Sequence, residues 1–462
     1  MPTNGIYLIT EYGAAGDGCA NDASAIQKAI DACAAAGGGI VVVPAGRTFL
    51  AGSFSLKSNI EFRVETGAVL MASPRSEDHA YYSELAKNDL QDHDATTRVW
   101  IWAESCQNLS FTGRGVIDGR GRDYMKEETP EIFRPKFGRP FMFWLHRCRH
   151  LSFHDLTLKE APYWTVELAG CEDVDISGLR ILNSLKVGNC DGIDVDHSRH
   201  VRISNCHIET GDDCIVLKNS REYVADGHCE DIIVSNCTLM STSTGLKLGT
   251  GSCGSEFRDI IFDSCVLKAT NRGLTIQLRD EGGAENVLFS NMIVENRFFS
   301  PEYWGAAESI HVSMLPRFLN SPVGKIRNIR FSNILCRSEN GIYLSGCQES
   351  PLEDIALENV RLELNKWTKW EGGVIDTRPG HGTAASRGKI AGIFCQQAKN
   401  VTLRHCDIRW GANRPSYFGP ALEARDVDGL RLDDFSGTAA HAGEPERIIH
   451  NSKIITASGA VS

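Results

Sequence analysis

One pattern recurs along most of the chain: two short segments of alternating apolar residues, joined by a polar corner that is often Ser-Asn. It reads LSFHDLTL from 151, VDISGLRI from 174, VRISNCHI from 201, IIVSNCTL from 232, IIFDSCVL from 260 and VLFSNMIV from 287. These six copies start 23, 27, 31, 28 and 27 residues apart, and others start at 329, 355 and 401, with weaker ones at Leu109 and Leu430. Short alternating strands at this period indicate a parallel β-solenoid, an all-β fold in which each rung buries its apolar face against its neighbours.

The corner itself carries two repeated residue types. Asparagine tolerates a left-handed backbone bend and can bond to the same residue one rung along, and it occupies the corner at Asn205, Asn236, Asn291, Asn333 and Asn359. Cysteine follows the corner at Cys206, Cys237, Cys265 and Cys406. A shared column of small apolar residues predicts buried thiols in the core rather than a disulfide framework.

Three features outside the repeat complete the predicted organisation. Residues 22–33 favour a short amphipathic helix that begins after Asp22 and would cap the solenoid within an N-terminal segment of about 1–50. The intervals from 287 to 329 and from 355 to 401 are long, 42 and 46 residues. Each must hold an excursion, about 297–325 and 364–395, of the kind that often carries binding function. We predict one domain, residues 1–462.

Composition excludes several classes of function. The net charge of -11 disfavours nucleic acid and acidic membranes as partners, and no apolar run approaches the roughly 18 residues of a membrane span. The sixteen cysteines contain no CxxC pair, so we expect no structural zinc site and no cofactor. Residues 1–18 lack a basic region followed by an apolar one, which predicts a cytoplasmic protein, or a secreted or periplasmic one whose signal was removed. Oligomeric state is not predicted.

Carboxylates converge on a second strand of the repeat. This strand reads DGIDV from 191, DCIVL from 213, TGLKL from 244, RGLTI from 272 and NGIYL from 340. Stacking these segments puts Asp191 and Asp213 on adjacent rungs, about 4.8 Å apart at the backbone. Asp212 lies beside them and Asp194 one step along the same surface. Such a cluster is costly unless it is hydrated, binds a cation or shares protons, so a solvated acidic edge and a calcium site stand as alternatives to catalysis.

Glycoside hydrolysis is the chemistry best suited to this cluster. One carboxylic acid protonates the leaving oxygen while carboxylates opposite activate water, and neighbouring negative charge keeps the acid protonated near neutral pH. Two bases and one acid also suit an inverting displacement, which leaves roughly 6.5–9.5 Å between carboxyl groups for water.

The chain resembles the polygalacturonase family of glycoside hydrolases, family 28, over nearly its whole length. NCDGID (189–194) and GDDC (211–214) are similar to the family's two aspartate blocks, and GVIDGRG (115–121) and APYWTVEL (161–168) also look like family stretches. The resemblance implies a right-handed, single-stranded parallel β-helix that hydrolyses pectic polysaccharides with inversion. It also implies Asp212 as the general acid, with Asp191 and Asp213 activating water.

Two motifs of that family are changed. Thr244 stands where the family has His, and Thr275 and Gln277 stand where it has the Arg and Lys that grip sugar carboxylates. We therefore hypothesise a relocated binding set around Asp194 and these three positions, with cations from the neighbouring columns: Lys218, Lys247, Arg272 and Arg279. Trp304, in the first excursion, either stacks on a sugar or pins its loop.

These observations predict an inverting hydrolase of pectin-derived poly- or oligosaccharides. If both excursions wall the cleft, we expect exo-action on an α-linked galacturonide. An α-L-rhamnosidase or rhamnogalacturonan-cleaving enzyme is the alternative within the class, because the lost cations suit another sugar. Alternatives of another class are a pectate lyase and a non-catalytic carbohydrate-binding β-helix.

Overall fold

The computed structural model describes residues 5–81, 98–136, 138–382 and 385–455. Residues 1–4 of the predicted N-terminal cap and residues 383–384 of the predicted second excursion therefore lie outside the described residues. The chain is an all-β, right-handed, single-stranded parallel β-helix, which confirms the predicted fold class. It divides into two compact units, a first of Met1–Ile215 with Glu222–Gly227 and a second of Val216–Arg221 with His228–Ser462. The single-domain assignment stays a prediction.

The first unit contains three stacks of parallel strands. Strands that lead into the polar corners form the first stack: Gly39–Val43, Ile60–Val64, Gln107–Gly113, Arg149–His154, Glu172–Ser177 and Arg199–Ser204. Strands that leave the corners form the second: Thr48–Ala51, Val69–Ala72, Val116–Asp118, Thr157–Lys159, Arg180–Leu182 and His207–Thr210. The third, here called the first site stack, comprises Phe54–Ser55, Arg98–Glu104, Pro140–His146, Val166–Ala169 and Ile193–Asp196.

The second unit repeats this arrangement with longer strands. Strands that lead into the corners, or pass through them, are Cys229–Ser235, Phe257–Asp263, Ala284–Asn296, Ile326–Ser338, Leu352–Leu364, Ile393–Arg404 and Leu422–Asp433. Strands beyond the corners include Thr238–Ser241, Val266–Thr270, Asp407–Trp410 and Ser436–Gly437. The second site stack comprises Thr244–Ser252, Arg272–Leu278, Ile310–Met314, Ile342–Ser345, the starts of Ile393–Arg404 and Leu422–Asp433, and Arg447–His450.

The corners behave as predicted. All five corner asparagines have a φ of 54–57°, in the left-handed region. In the second unit Asn333 donates to Asn291 Oδ1 at 3.1 Å and accepts from Asn359 at 2.8 Å, a ladder from rung to rung. All sixteen cysteines are free thiols and fourteen of them are buried. Stacked inward rings such as Phe262, Phe289 and Phe331 (centroids 4.7 and 4.9 Å apart) add to the core.

The N-terminal helix runs Ala23–Ala35, close to the predicted bounds, and buries one face, formed by Ala25, Ile26, Ala29, Ile30 and Cys33. Asp22 precedes it, but its carboxylate does not cap the helix. It accepts instead from the backbone N–H groups of Ala15 (2.6 Å) and Gly16 (3.1 Å), and so fixes the preceding loop. Among the described residues no helix has the length and apolarity required to cross a membrane.

The predicted excursions are partly regular structure. The first one, about 297–325, contains the strand Ile310–Met314, which is a full rung of the second site stack. Tyr343 therefore pairs with His311 and not with Thr275, the neighbour that the sequence alignment of rungs gave it. The second excursion, about 364–395, contains a small antiparallel pair, Val374–Asp376 with Ala385–Arg387.

Candidate active site

The structure brings the three predicted catalytic carboxylates of the first unit together. One oxygen from each of Asp191, Asp212 and Asp213 lies within 4.8 Å of the other two. Asp191 and Asp213 are buried, at 3% and 2% exposure, whereas Asp212 is half-buried. Each lies just before a strand begins, Asp191 before Ile193–Asp196 and the other two before Ile215–Asn219. Residues at this position can present their side chains without interrupting the strand ladder.

Backbone groups orient the most exposed of the three. Asp212 Oδ2 accepts from the N–H of Asn189 and Oδ1 from the N–H of Asp213, both at 3.0 Å. The Thr210 hydroxyl donates to the Asp212 carbonyl at 2.5 Å. With both oxygens engaged by rigid donors, the Asp212 carboxyl group has one orientation, which a proton donor to a fixed substrate oxygen requires.

Asp191 is positioned through its own backbone. Its carbonyl accepts from both the N–H (2.9 Å) and the hydroxyl (2.7 Å) of Thr165. Asn183 fixes that hydroxyl at 2.8 Å and also donates to the Cys190 carbonyl at 3.0 Å. At Gly192 a Cβ would lie 2.4 Å from the Cys214 carbonyl oxygen, so only glycine lets the strands that carry Asp191 and Asp213 approach this closely.

Arg139 and Cys190 support the loop that contacts Asp212. The buried Arg139 guanidinium donates to the carbonyls of Pro162 (3.1 Å) and Gly188 (2.7 Å) and to Asn189 Oδ1 (3.2 Å). Burial raises the pKa of the Cys190 thiol well above its ordinary value, and the negative charges of Asp212 and Asp191 raise it further. Cys190 is therefore an inert thiol whose sulfur accepts from the Gly211 N–H at 3.1 Å.

Asp194 is fully buried and has an acidic neighbour that the sequence interpretation missed. In the first site stack Asp194 pairs directly with Glu167, which lies on the adjacent strand Val166–Ala169 and is 1% exposed. The same outward column continues through Trp144 to Trp102. Glu167 lies in the family-like stretch APYWTVEL, and extending the column of carboxylates by one rung toward the N-terminus would have found it.

Two groups of side chains in the described ranges have the donor geometry of a metal site. One is the trio of Asp191, Asp212 and Asp213, and the other is Glu172, Asp173 and His200 on the strands that lead into the corners. Calcium takes six to eight oxygens, commonly with carbonyls among them. In the second group Glu172 is already in ion pairs with Arg199 at 2.9 Å and with Arg149 at 3.2 Å. We therefore assign no metal to either group.

For the first two strands of the second site stack the register agrees with the columns inferred from sequence. Thr244 pairs with Arg272, Lys247 with Thr275 and Gly249 with Gln277. The two outward columns of the second site stack then continue beyond the predicted residues. One column runs Lys247, Thr275, His311, Tyr343, Phe394, Glu423, and the other runs Gly249, Gln277, Ser313, Ser345, Gln396, Arg425.

Three residues of the hypothesised binding set, Arg272, Gln277 and Arg279, donate hydrogen bonds to other groups of the protein. Arg272 donates to Glu308 Oε2 (3.3 Å), to Gln277 Oε1 (3.3 Å) and to the Asp376 carbonyl. Gln277 donates to the Arg378 carbonyl at 2.7 Å. Both side chains are at most 2% exposed and hold the second excursion against the site stack.

Arg279 is fully buried and has the same role. It donates to the carbonyls of Thr377 (3.0 Å), Ser313 (3.2 Å) and Pro379, and to the Ser313 hydroxyl (3.1 Å). Burial, and then the charge of Arg272, lower its pKa to about 9. These contacts correct the hypothesis for Arg272 and Arg279, because every guanidinium nitrogen of both residues already donates to an oxygen of the protein rather than to a sugar carboxylate.

Glu308 and His311, which follow Trp304 in the first excursion, lie beside these arginines. Burial acts to raise the pKa of Glu308, but the charge of Arg272 and hydrogen bonding outweigh it and hold the pKa at about 2. Burial, followed by the Arg272 charge, lowers the pKa of His311 to about 4. At neutral pH the pair is therefore a carboxylate and a neutral imidazole, with Nε2 of the latter 3.0 Å from Ser313 Oγ.

The other predicted binding residues differ in accessibility. Thr244, Thr275, Lys218 and Lys247 are buried, Lys218 on the strand Ile215–Asn219 and the others on the second site stack. Trp304 is 47% exposed, and its carbonyl accepts from Asn271 at 2.9 Å. Its ring is therefore available for stacking, while its backbone fixes the loop.

Comparison with known proteins connects this geometry to a family. The profile of the glycosyl hydrolases of family 28 matches residues 33–372. A probable polygalacturonase of Arabidopsis thaliana is 26% identical over 387 residues, which covers 77% of this chain and 73% of the relative. A polygalacturonase of Malus domestica is 25% identical over 381 residues, or 77% and 74% of the two chains.

Solved structures of low identity share the fold. A family 28 exopolygalacturonase of Yersinia enterocolitica superposes with a TM-score of 0.69 at 16% identity, covering 98% of this chain and 78% of that one. A hyperthermoactive exopolygalacturonase of Thermotoga maritima gives a TM-score of 0.59 at 19% identity and covers 100% and 94%.

Proposed function

The chain belongs to family 28 of the glycosyl hydrolases, and from that premise we propose that it hydrolyses α-linked galacturonides at the ends of pectin-derived chains. The observation that carries this proposal is the convergence of Asp191, Asp212 and Asp213 within 4.8 Å in the first unit. Its curated relatives named above are polygalacturonases, which supports a pectic substrate.

In the proposed reaction Asp212 is the acid and the other two carboxylates bind water. Asp212, the most exposed of the three, donates its proton to the glycosidic oxygen as the bond to the anomeric carbon breaks. Asp191 and Asp213 accept hydrogen bonds from one water molecule, take up its proton and direct its oxygen to the anomeric carbon. The products are a hydrolysed sugar and a shortened chain, and the proton taken from water restores the acid in the next cycle.

The stereochemical course follows from how water is held. Inverting enzymes usually separate their carboxyl groups by about 6.5–9.5 Å, and retaining ones by about 5–5.5 Å. The 4.8 Å limit within the trio is closer to the retaining spacing. Asp191 and Asp213 can, however, hold a water molecule opposite the acid for direct attack on the anomeric carbon, and we therefore propose inversion.

Contacts between the two excursions support an exo mode. In the second unit the N–H of Gly305 donates to Asp376 Oδ2 at 2.9 Å, and Arg378 donates to the Tyr303 carbonyl at 3.4 Å. The excursions are thus joined to each other and, through Arg272 and Arg279, to the second site stack. Loops tied down in this way act as a fixed wall rather than as a mobile lid.

A neutral sugar is the second candidate substrate, as in an α-L-rhamnosidase or a rhamnogalacturonan-cleaving enzyme. It is favoured by the internal contacts of Arg272, Gln277 and Arg279. Because of these contacts, the guanidinium groups of Arg272 and Arg279 are not available to neutralise the carboxylate of a uronate.

A screen of pectic oligosaccharides with product analysis tests the proposal. Galacturonate oligomers should yield only a terminal unit from the earliest time points, and ¹H NMR should show the inverted anomer first. A ladder of intermediate lengths would overturn exo-action, and an initially retained anomer would indicate a covalent intermediate on an aspartate. Cleavage of only rhamnose-containing chains would select the neutral-sugar candidate. Unsaturated products with activity lost to a chelator would indicate a lyase, and binding without turnover a non-catalytic protein.

A further inference from the structure

The second unit contains a recess that none of the contacts described above fills. Its volume is about 230 Å³. One wall comes from three consecutive rungs of the second site stack, and the opposite wall comes from the end of the second excursion. The residues that line it and enter the reasoning are Tyr343, Phe394, Gln396, Glu423 and Arg425 from the stack and Ile375, Lys389, Ile390 and Ala391 from the excursion.

The stack supplies a rigid apolar floor. The rings of His311 and Tyr343 stack with centroids 5.1 Å apart, and those of Tyr343 and Phe394 with centroids 5.3 Å apart at 14°. The Arg425 guanidinium lies over Phe394 at 5.4 Å. Because the ring faces cover one another, ring edges border the recess. Ile375, Ile390 and Ala391 add aliphatic surface on the other side.

One polar group in this floor has an acceptor that is not used by the protein. Glu423 is 6% exposed, and Arg425 donates to its Oε1 from Nε at 2.7 Å and also from Nη2. From the part of the chain that the structure describes, Oε2 of Glu423 receives no hydrogen bond. Gln396, on the neighbouring rung, is held by its donation to Ser345 Oγ at 2.8 Å. A carboxylate oxygen, an amide and a guanidinium thus converge on an apolar recess, as in small-molecule sites.

The charges at this recess are balanced. Its anions are Glu308 and Glu423 and its cations Lys389 and Arg425, and each is already in an ion pair. Glu308 binds Arg272 at 3.3 Å, and Lys389 binds Glu444 at 2.7 Å. A ligand carboxylate would lie beside the Glu423 carboxylate and be repelled by it, whereas a hydroxyl group can donate to Glu423 Oε2 and accept from Arg425 at no cost in charge.

We propose that this recess is a second carbohydrate site that binds one neutral pyranose residue. Its volume lies below the roughly 300–1,000 Å³ of sites for drug-sized ligands, so it fits one sugar ring and not a chain. The inference rests on the proposed function only in taking the ligand to be a sugar. Binding here requires no hydrolysis, so this site can exist whether or not that proposal holds.

Titration with monosaccharide glycosides tests the proposal directly. The probes are methyl α-L-rhamnopyranoside and methyl α-D-galactopyranoside, with methyl α-D-galactopyranosiduronate as the charged counterpart of the latter. Ligand-observed NMR and calorimetry on the full chain, counting only the binding that is lost in Ile375→Trp, should show that at least one neutral glycoside binds the recess about tenfold or more tightly than the uronate, the ratio expected from loss of one charge-assisted hydrogen bond. Tighter binding of the uronate in the recess, or no binding of either neutral probe that Ile375→Trp removes, would overturn the proposal.

Two variants and a matched control locate the binding. Glu423→Ala removes the acceptor and should weaken binding about tenfold, and Ile375→Trp fills the recess and should abolish it. Glu358→Ala removes the partner of Arg404, a comparable Glu–Arg pair on the surface at 3.4 Å, and should leave binding unchanged. Circular dichroism of each variant confirms the fold. Binding that survives Ile375→Trp would place the sugar elsewhere and refute the inference, while loss of hydrolysis in Asp212→Asn with binding retained would separate this site from the catalytic one.

Discussion

A buried histidine makes the stability of this β-helix dependent on pH in a window that can be calculated. His311 is fully buried on the second site stack, and its pKa is lowered to about 4, chiefly by burial and then by the charge of Arg272. The negative charge of Glu308 acts in the opposite sense but does not compensate. The perturbation we consider is His311→Gln, which keeps an amide N–H near Ser313 Oγ and removes the titrating group.

The sign and size of the effect follow from the two protonation states. In the unfolded chain His311 binds a proton below about pH 6.5, whereas in the folded chain it does so only near pH 4. Between these values the unfolded state holds more protons, so the free energy of unfolding rises with pH. At about 1.4 kcal/mol per pH unit, the whole window contributes about 3 kcal/mol. Glu308, with a pKa held at about 2, loses its contribution only below about pH 4.5 and does not overlap.

Denaturant unfolding of the wild type and of His311→Gln from about pH 4.5 to about pH 7 isolates this contribution. The wild type should lose stability relative to the variant as the pH falls through this range, by about 2–3 kcal/mol in total. His405→Gln, at a histidine that is 59% exposed, is the matched control. Parallel curves for wild type and His311→Gln would refute the reasoning, because they would mean that the buried imidazole accepts a proton in the folded state.

Three further outcomes are expected. Asp212→Asn should lower kcat on a natural oligosaccharide by about 10²–10⁴-fold but have much less effect on an aryl glycoside whose leaving group needs no proton, and equal losses on both substrates would contradict its role as acid. Asn333→Ala should lower the free energy of unfolding by about 1–2 kcal/mol, and Asn333→Gly by less, because glycine keeps the left-handed φ that alanine disfavours. Arg279→Lys should increase proteolytic cleavage near Thr377 with circular dichroism unchanged, since a lysine cannot replace five planar donors; unaltered cleavage would show that other contacts hold the segment.

Repetition explains how much of this fold could be predicted from the sequence. In a β-helix each rung contacts only its neighbours, so strand position, the left-handed corner asparagines and the pairs Lys247–Thr275 and Gly249–Gln277 follow from local alternation alone. The convergence of Asp191 and Asp213 is predictable for the same reason, because two residues at one position of consecutive rungs must be neighbours.

Features that depart from the repeat could not be predicted in this way. Ile310–Met314 is separated from the preceding strand, Ala284–Asn296, by residues 297–309 rather than by a short turn, so the repeat predicted a loop there and displaced Tyr343 from its true neighbour His311. Glu167, with no recognised copy of the acidic motif around it, was overlooked beside Asp194.

The sequence by itself determined the solenoid, its polar corners and the proximity of Asp191 and Asp213, because each depends on residues related by one rung. Only the tertiary structure decided what the cations do. Arg272 and Arg279 occur where a sugar-binding role is plausible from their columns, yet the carbonyls that engage them belong to residues 376–379, about a hundred positions along the chain. No local pattern encodes such a contact, since it depends on where the excursion returns. The same return of the chain closes the recess over Phe394 and Glu423.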